Sequence, residues 1–177
     1  LSMLRLAGIP IYARERGGDV PIIIGGGPCV YNPEPIADFF DLINVGEGEE
    51  VLSEICRLYI NMKEQGSYSR ASFLREASHI EGVYIPSLYE VSYNADGTVA
   101  AIVPQDGAPE KVTKRIVSDL NTVHYPEKFI VPFVEVVHDR VVHEIFRGCI
   151  RGCRFCQAGM LYRPTREKEV EYLKELA

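Results

Sequence analysis

The chain has 177 residues, of which 46% are hydrophobic and 25% charged, with a formal net charge of −6. This is ordinary globular composition, enough to bury a core in one domain or two small ones. It holds no apolar run of bilayer-spanning length and no basic stretch followed by an apolar segment, which argues against a membrane helix and a secretory signal. The sequence opens on Leu1 and not on Met, and is read as a piece of a longer chain.

In chain order, "LSMLRL" (1–6) fits the end of an amphipathic helix, which Gly8 and Pro10 interrupt. "VPIIIGGG" (20–27) is an unalternated β-branched run ending in glycines, the pattern of a strand buried on both faces of a parallel sheet. "NPEPIADFFD" (32–41) offers Asn32 as a cap and prolines in a first turn, so a short helix is expected. A second buried strand, "LINV", leads into "GEGEE" and a strong helix over 49–66. Val51/Leu52, Ile55, Leu58/Tyr59 and Met62 recur there at helical spacing, and Gly66 stops it. Strand–helix–strand–helix with short loops implies a parallel α/β sheet.

The character changes after Gly66. A short helix near 70–78 precedes an expected β-hairpin over 82–105, turned at Asp96-Gly97. Residues 107–120 read as extended. Residues 129–148 give two apolar runs flanking Asp139-Arg140, and the second enters Cys149. A last helix is expected from Thr165 as cap, with Glu167 and Glu169 in its first turn and Val170, Leu173 and Leu176 on one face.

The chemistry concentrates in "RGCIRGCRFCQAG" (147–159). Cys149, Cys153 and Cys156 are spaced C-x3-C-x2-C on a strand-to-helix loop. Five cysteines, an odd number with three clustered, suit a reducing cytoplasm and a metal site better than a disulfide scaffold. Zinc usually takes four ligands, often as two separated pairs, and no fourth cysteine lies nearby. His143 sits within the preceding β-run, where it packs or faces solvent. Iron–sulfur clusters are held by thiolates, and three thiolates on a four-iron cluster leave one iron open to a ligand. Residues 140–168 carry seven Lys/Arg against two Glu, a net of +5, so the remainder carries −11. Such a basic patch attracts an anion, an anionic cofactor or nucleic acid. Gly148 and Gly152 permit a tight turn, and Arg147, Arg151 and Arg154 can offset the charge of a thiolate-ligated cluster.

This spacing, with Phe155 just before the last cysteine, resembles the radical S-adenosylmethionine (SAM) enzymes. The resemblance implies that Cys149, Cys153 and Cys156 hold a [4Fe–4S] cluster, with SAM on the open iron. It implies reductive cleavage of SAM to a 5′-deoxyadenosyl radical, a low-potential electron donor as partner, and a backbone role for Phe155 in positioning adenine. The substrate is not named by it.

The upstream glycines lack the G-x-G-x-x-G spacing of a dinucleotide fold and the Lys-Ser/Thr of a P-loop. Gly25-Gly26-Gly27-Pro28 after an apolar strand, then a helix, then Asp41 followed by Gly46–Glu50 resemble instead the cobalamin-binding-type domain that precedes the barrel in one group of radical SAM proteins, and Gly25-Gly26-Gly27-Pro28-Cys29, Asn32-Pro33-Glu34-Pro35 and the Arg147–Gly159 string look like one uncharacterised bacterial subfamily of it. That resemblance implies that Gly25, Gly26 and Gly27 let a cofactor approach the backbone. The Asp-x-His-x-x-Gly loop that would bring cobalt its histidine is absent, so cobalamin stays open. Gly46–Glu49 also reads as a structural turn, and Cys29 and Cys56 as buried small residues.

The expected fold is α/β, in three parts. Residues 1–66 form the C-terminal half of a Rossmann-like cobalamin-binding-type domain. Residues 67–140 form a β-rich connector, and 141–177 the first β/α unit of a radical SAM TIM-like barrel. The expected function is a cytoplasmic radical SAM enzyme without a membrane partner. The piece itself would be inactive, because an open barrel neither shields a radical nor grips SAM. Two alternatives stay open: a non-catalytic zinc or iron–sulfur module in an RNA-binding or interaction protein, and a simple electron carrier.

Overall fold

The computed structural model describes residues 1–176 except 127, 129, 131, 138, 139 and 141. It forms two compact units, Leu1–Ile116 and Val117–Ala177. The protein is mixed α/β with small sheets. No helix among the described residues is long and apolar enough to cross a membrane.

The first unit is built on a three-stranded sheet in the order β1 (Ile24–Gly25), β2 (Leu42–Asn44), β3 (Val83–Tyr84). β1 and β2 are parallel, Ile24 facing Leu42 and Gly25 facing Ile43. β3 runs antiparallel to β2, with Ile43 opposite Tyr84 and Asn44 opposite Val83. The expected all-parallel sheet is therefore corrected to a mixed one. The run after Gly82, expected to open the hairpin, instead supplies the third strand.

β2 is buried throughout, as its unalternated sequence predicts. Leu42 packs on one side with Val51, Ile55 and Met62 of α2 (Glu49–Glu64), Phe73, Leu74 and Ala77 of α3 (Arg70–Ala77), and Val83 and Ile85. Ile43 packs on the other side with Val30 and Tyr84. Neighbouring strand residues thus serve opposite faces. β1 is shorter and wetter than expected, with Ile24 40% exposed.

The segment between β1 and β2 is two 3-10 turns, Pro28–Tyr31 and Glu34–Phe39, and not a capped α-helix. Pro28, Pro33 and Pro35 lack the N–H groups that a helical ladder needs, and Asn32 makes no cap bond. Cys29 and Cys56 are exposed, which corrects their expected burial. Cys29 lies on the first of these turns, and Cys56 follows Ile55 of α2, one position off the helix's buried stripe. The opening helix, α1 (Ser2–Leu6), forms as expected but buries none of its residues.

Local chemistry sets the remaining boundaries. α3 begins with a reciprocal cap: Ser72 N–H donates to Ser69 Oγ at 3.1 Å, and Ser69 N–H to Ser72 Oγ at 2.9 Å. β4 (Tyr89–Tyr93) and β5 (Val99–Pro104) form the expected hairpin. Asp96 accepts from the Thr98 amide at 3.0 Å and its hydroxyl at 2.7 Å, and Gly97 takes φ +82°. Behind the sheet, Arg115 pairs with Glu50 and Glu54 of α2, each at 2.7 Å.

Tyr84 donates its hydroxyl to Glu34 at 2.7 Å, tying β3 to the 3-10 turn. Burial first, then the Glu34 carboxylate, pushes its phenol well above the ordinary value near 10. A raised folded value means that this contribution is complete below pH 10 and is lost as pH climbs from there toward the folded value. Denaturant titrations between pH 8 and 11.5 should show an alkaline loss of stability that is smaller in Tyr84→Phe. Equal alkaline slopes would refute the assignment.

Candidate metal centre

The second unit carries the cysteine loop. β6 (Phe146–Arg147) pairs antiparallel with β7 (Arg166–Glu167), Phe146 opposite Glu167 and Arg147 opposite Arg166. Lys168 N–H extends the pairing to Ile145 C=O at 2.9 Å. Residues 148–165 therefore leave and return through one narrow gate. Gly148 sits in that gate with φ +109°. A Cβ there would lie 2.7 Å from Tyr162 O, 2.8 Å from Thr165 Cα and 3.0 Å from Pro164 O. Only glycine lets the outgoing limb cross the returning one so closely.

A short helix inside the loop, α4 (Ala158–Leu161), follows the last cysteine, and Leu161 is buried. A Cβ on Gly159 would stand 2.9 Å from Arg151 O, so this glycine lets the first half of the loop lie against α4. The chain thus runs strand, cysteine loop, short helix. The second helix, α5, spans Val170–Leu176, later than expected. Thr165 does not cap it, because Arg166 and Glu167 are taken into β7 and the helical segment starts only after that pairing ends. Asp139, between the two apolar runs, lies outside the described residues. Among the described residues of 130–145, none is in a strand, so the expected β-run around His143 is corrected to a strand of Phe146–Arg147 only.

All three cysteines are free thiols. Cys149 is half-buried, while Cys153 and Cys156 are exposed. Cys156 N–H donates to Cys153 C=O at 3.2 Å, which closes a turn around Arg154 and Phe155. Phe155 is exposed. Among the described residues, no three His, Cys, Asp or Glu side chains are gathered closely enough to hold a metal ion. The donor set suits a thiolate-held cluster in kind: three unbridged thiols within eight residues on a loop fixed at its base.

The charges around the loop divide into two groups. Arg147 is held bidentately by Glu144 at 2.9 and 2.8 Å. Arg166 donates to Pro164 O at 3.0 Å and to Val117 O, bracing the returning limb. Arg151 and Arg154 are exposed and carry no ion pair among the described residues. They are the cations free to face an anionic group at the thiols. His143 is half-buried, its ring 6.1 Å from that of Tyr125.

Lys168 is the residue that sequence reasoning missed. It is 4% exposed, its ammonium lies 3.6 Å from the centre of the Tyr125 ring, and it has no hydrogen-bond acceptor among the described residues. Burial lowers its pKa; Glu144 opposes that shift and Arg147 adds to it. In sequence it reads as one more surface charge in "REKEVEYLKEL", so no signal marked it.

Gly25, Gly26 and Gly27 belong to the first unit. Gly25 is buried at the end of β1, where a Cβ would meet the Phe40 ring at 3.1 Å. Gly26 and Gly27 are exposed, with Gly27 at φ +94°. The close approach that Gly25 permits is thus to Phe40, a neighbour within the fold.

Residues 1–86 match the family described as radical SAM proteins, N-terminal. An uncharacterized protein of Methanocaldococcus jannaschii is 29% identical over 159 residues, which is 88% of this chain and 28% of that protein. The chain therefore spans less than a third of that curated relative's length. No solved structure matches. The match covers the first unit's sheet and its first two long helices, and it supports a radical SAM protein.

Proposed function

We propose that the chain is part of a [4Fe–4S]- and SAM-dependent radical enzyme, with Cys149, Cys153 and Cys156 as the cluster ligands. The observation that carries this is the meeting of two independent features: the match over residues 1–86, and three free thiols on a strand–loop–helix gate outside that match. When bound, such a cluster supplies an electron that cleaves SAM to methionine and a 5′-deoxyadenosyl radical. The chain's own contribution is to present the thiols. The β6–β7 gate fixes both ends of the loop, and Gly159 lets Arg151 settle on α4. Arg151 and Arg154 offset negative charge, and the Phe155 backbone lies beside the last ligand, where it can orient a base.

On this reading residues 1–66 are part of a Rossmann-like cobalamin-binding-type domain, 67–140 the connector, and 141–177 the opening of the barrel. Gly25–Gly27 would then meet a cofactor tail if cobalamin is used. The enzyme works in the cytoplasm with a low-potential electron donor on a substrate yet to be found.

The test is anaerobic reconstitution of the full-length protein with iron and sulfide. About four irons per chain are expected, with a charge-transfer band and SAM cleavage on reduction. Cys153→Ser should abolish cleavage and most of the iron. Stable stoichiometric zinc without cleavage would favour the non-catalytic metal module. A cluster blind to SAM would favour an electron carrier.

A further inference from the structure

A cavity of about 880 Å³ opens in the first unit, within the usual size range of small-molecule sites. Asp41, just before β2, and Tyr84, at the end of the antiparallel β3, both line it. It therefore lies at the end of the sheet away from Gly26 and Gly27, neither of which contributes to it.

The charges beneath this cavity are matched. Arg16 and Arg70 share Asp41, and Glu34 accepts from Tyr84. The charges on its walls are not. Arg14 lies over the Tyr12 ring at 4.4 Å, and neither it nor Arg75 of α3 has a carboxylate partner among the described residues. Asp38 and Asp106, also on the walls, have no basic partner among them either. β4 adds Tyr89 and Tyr93 to the lining, residues four apart that share one face of the strand.

An unmatched guanidinium suits an oxyanion held by two N–H groups. A free carboxylate accepts from hydroxyls, and tyrosine rings stack on a flat heterocycle. One ligand class uses all three. The geometry points to a nucleoside 5′-phosphate site in this cavity, separate from the cysteine loop. The phosphate meets Arg14 and Arg75, the sugar hydroxyls meet the carboxylates, and the base lies on the tyrosine face. It goes beyond the radical-enzyme reading and does not depend on the cluster.

Calorimetric titration of the metal-free full-length protein with AMP, GMP, CMP and UMP, each beside its nucleoside, tests this. Saturable binding of at least one nucleotide is expected, tighter than its nucleoside and weakening with salt. Arg75 is exposed on α3, so Arg75→Ala leaves the fold in place. It should weaken the nucleotide about tenfold and leave the nucleoside unchanged. Tyr93→Ala, at a position 60% exposed, should weaken both about fivefold or more. Absence of saturable binding at millimolar nucleotide overturns the proposal. So does nucleotide affinity indifferent to Arg75→Ala. Neither outcome bears on iron loading, so this site and the cysteine loop stand or fall separately.

Discussion

Asp41→Ala should cost the first unit about 3–5 kcal/mol, the loss expected when one member of a buried ionic group is removed. Asp41 is in contact with two guanidiniums, Arg16 at 2.8 Å and Arg70 at 2.9 Å, with side-chain exposures of 2%, 0% and 12% in that order. Its Oδ2 also accepts the Ile23 amide at 2.7 Å, just ahead of β1. The arginines cannot leave with it. Arg16 donates to Pro10, Ile11 and Phe39 carbonyls, and Arg70 to those of Gly17, Val20 and Pro21. Alanine would strand two cations and one amide among carbonyls that only partly compensate them. Since a domain's whole stability is about 5–15 kcal/mol, the variant should be marginal or unfolded at 37 °C. Asp41→Asn keeps an acceptor for Ile23 and should fall between alanine and wild type. Urea melts of the three proteins check this. A loss under about 1 kcal/mol for alanine would mean that the arginines are satisfied by carbonyls and water alone.

The buried ionic group also shows where the sequence was silent. Asp41 was visible only as the first letter of a resemblance, and Arg16 and Arg70 as isolated charges. Their meeting depends on a loop, a 3-10 turn and a helix arriving at one point, and no local pattern encodes that. Elements whose stability is local were legible. α2 declares itself through its apolar spacing and leading acids, α3 through its Ser69 cap, and the hairpin through Asp96-Gly97. β2 was legible because the adjacent apolar residues Leu42 and Ile43 point to opposite faces and so call for burial on two sides. β3 was misassigned because "VYI" suits a hairpin strand as well as a sheet strand. Its choice of β2 as partner is tertiary.

The cysteine loop was legible as chemistry and only partly as structure. Spacing placed three thiols together in sequence, and free thiols on one loop are what the structure shows. The gate that carries the loop was hidden. "RPTRE" reads as a turn and a helix start, yet Arg166 and Glu167 pair with Phe146 and Arg147. Two-residue strands have no periodicity to detect. Lys168 was hidden for the same reason: the pairing that buries it is set by the hairpin and by Tyr125, more than 40 residues upstream.

That gate makes Gly148 the most sensitive backbone position in the loop. Gly148→Ala should cost about 3 kcal/mol in the second unit, combining a residue held in left-handed backbone with direct overlap. The overlapping atoms are Tyr162 O, Thr165 Cα and Pro164 O, all main chain, so no side-chain rotation relieves them. Relief comes only by separating the limbs, which breaks the β6–β7 pairing and the Lys168-to-Ile145 hydrogen bond. Hydrogen exchange at the Lys168 amide should therefore accelerate by about two orders of magnitude. Gly152→Ala is the matched control. It directly precedes Cys153 as Gly148 directly precedes Cys149, but a Cβ there meets nothing within 4 Å and its φ is not left-handed. Exchange at Lys168 should be unchanged in that variant. If both variants exchange alike, the gate does not depend on the close crossing at Gly148. If Gly148→Ala alone loses iron on reconstitution, thiol presentation depends on the gate. If both lose iron while only Gly148→Ala opens the gate, the cluster needs the conformational freedom of the loop itself, and Gly152 belongs to the binding site.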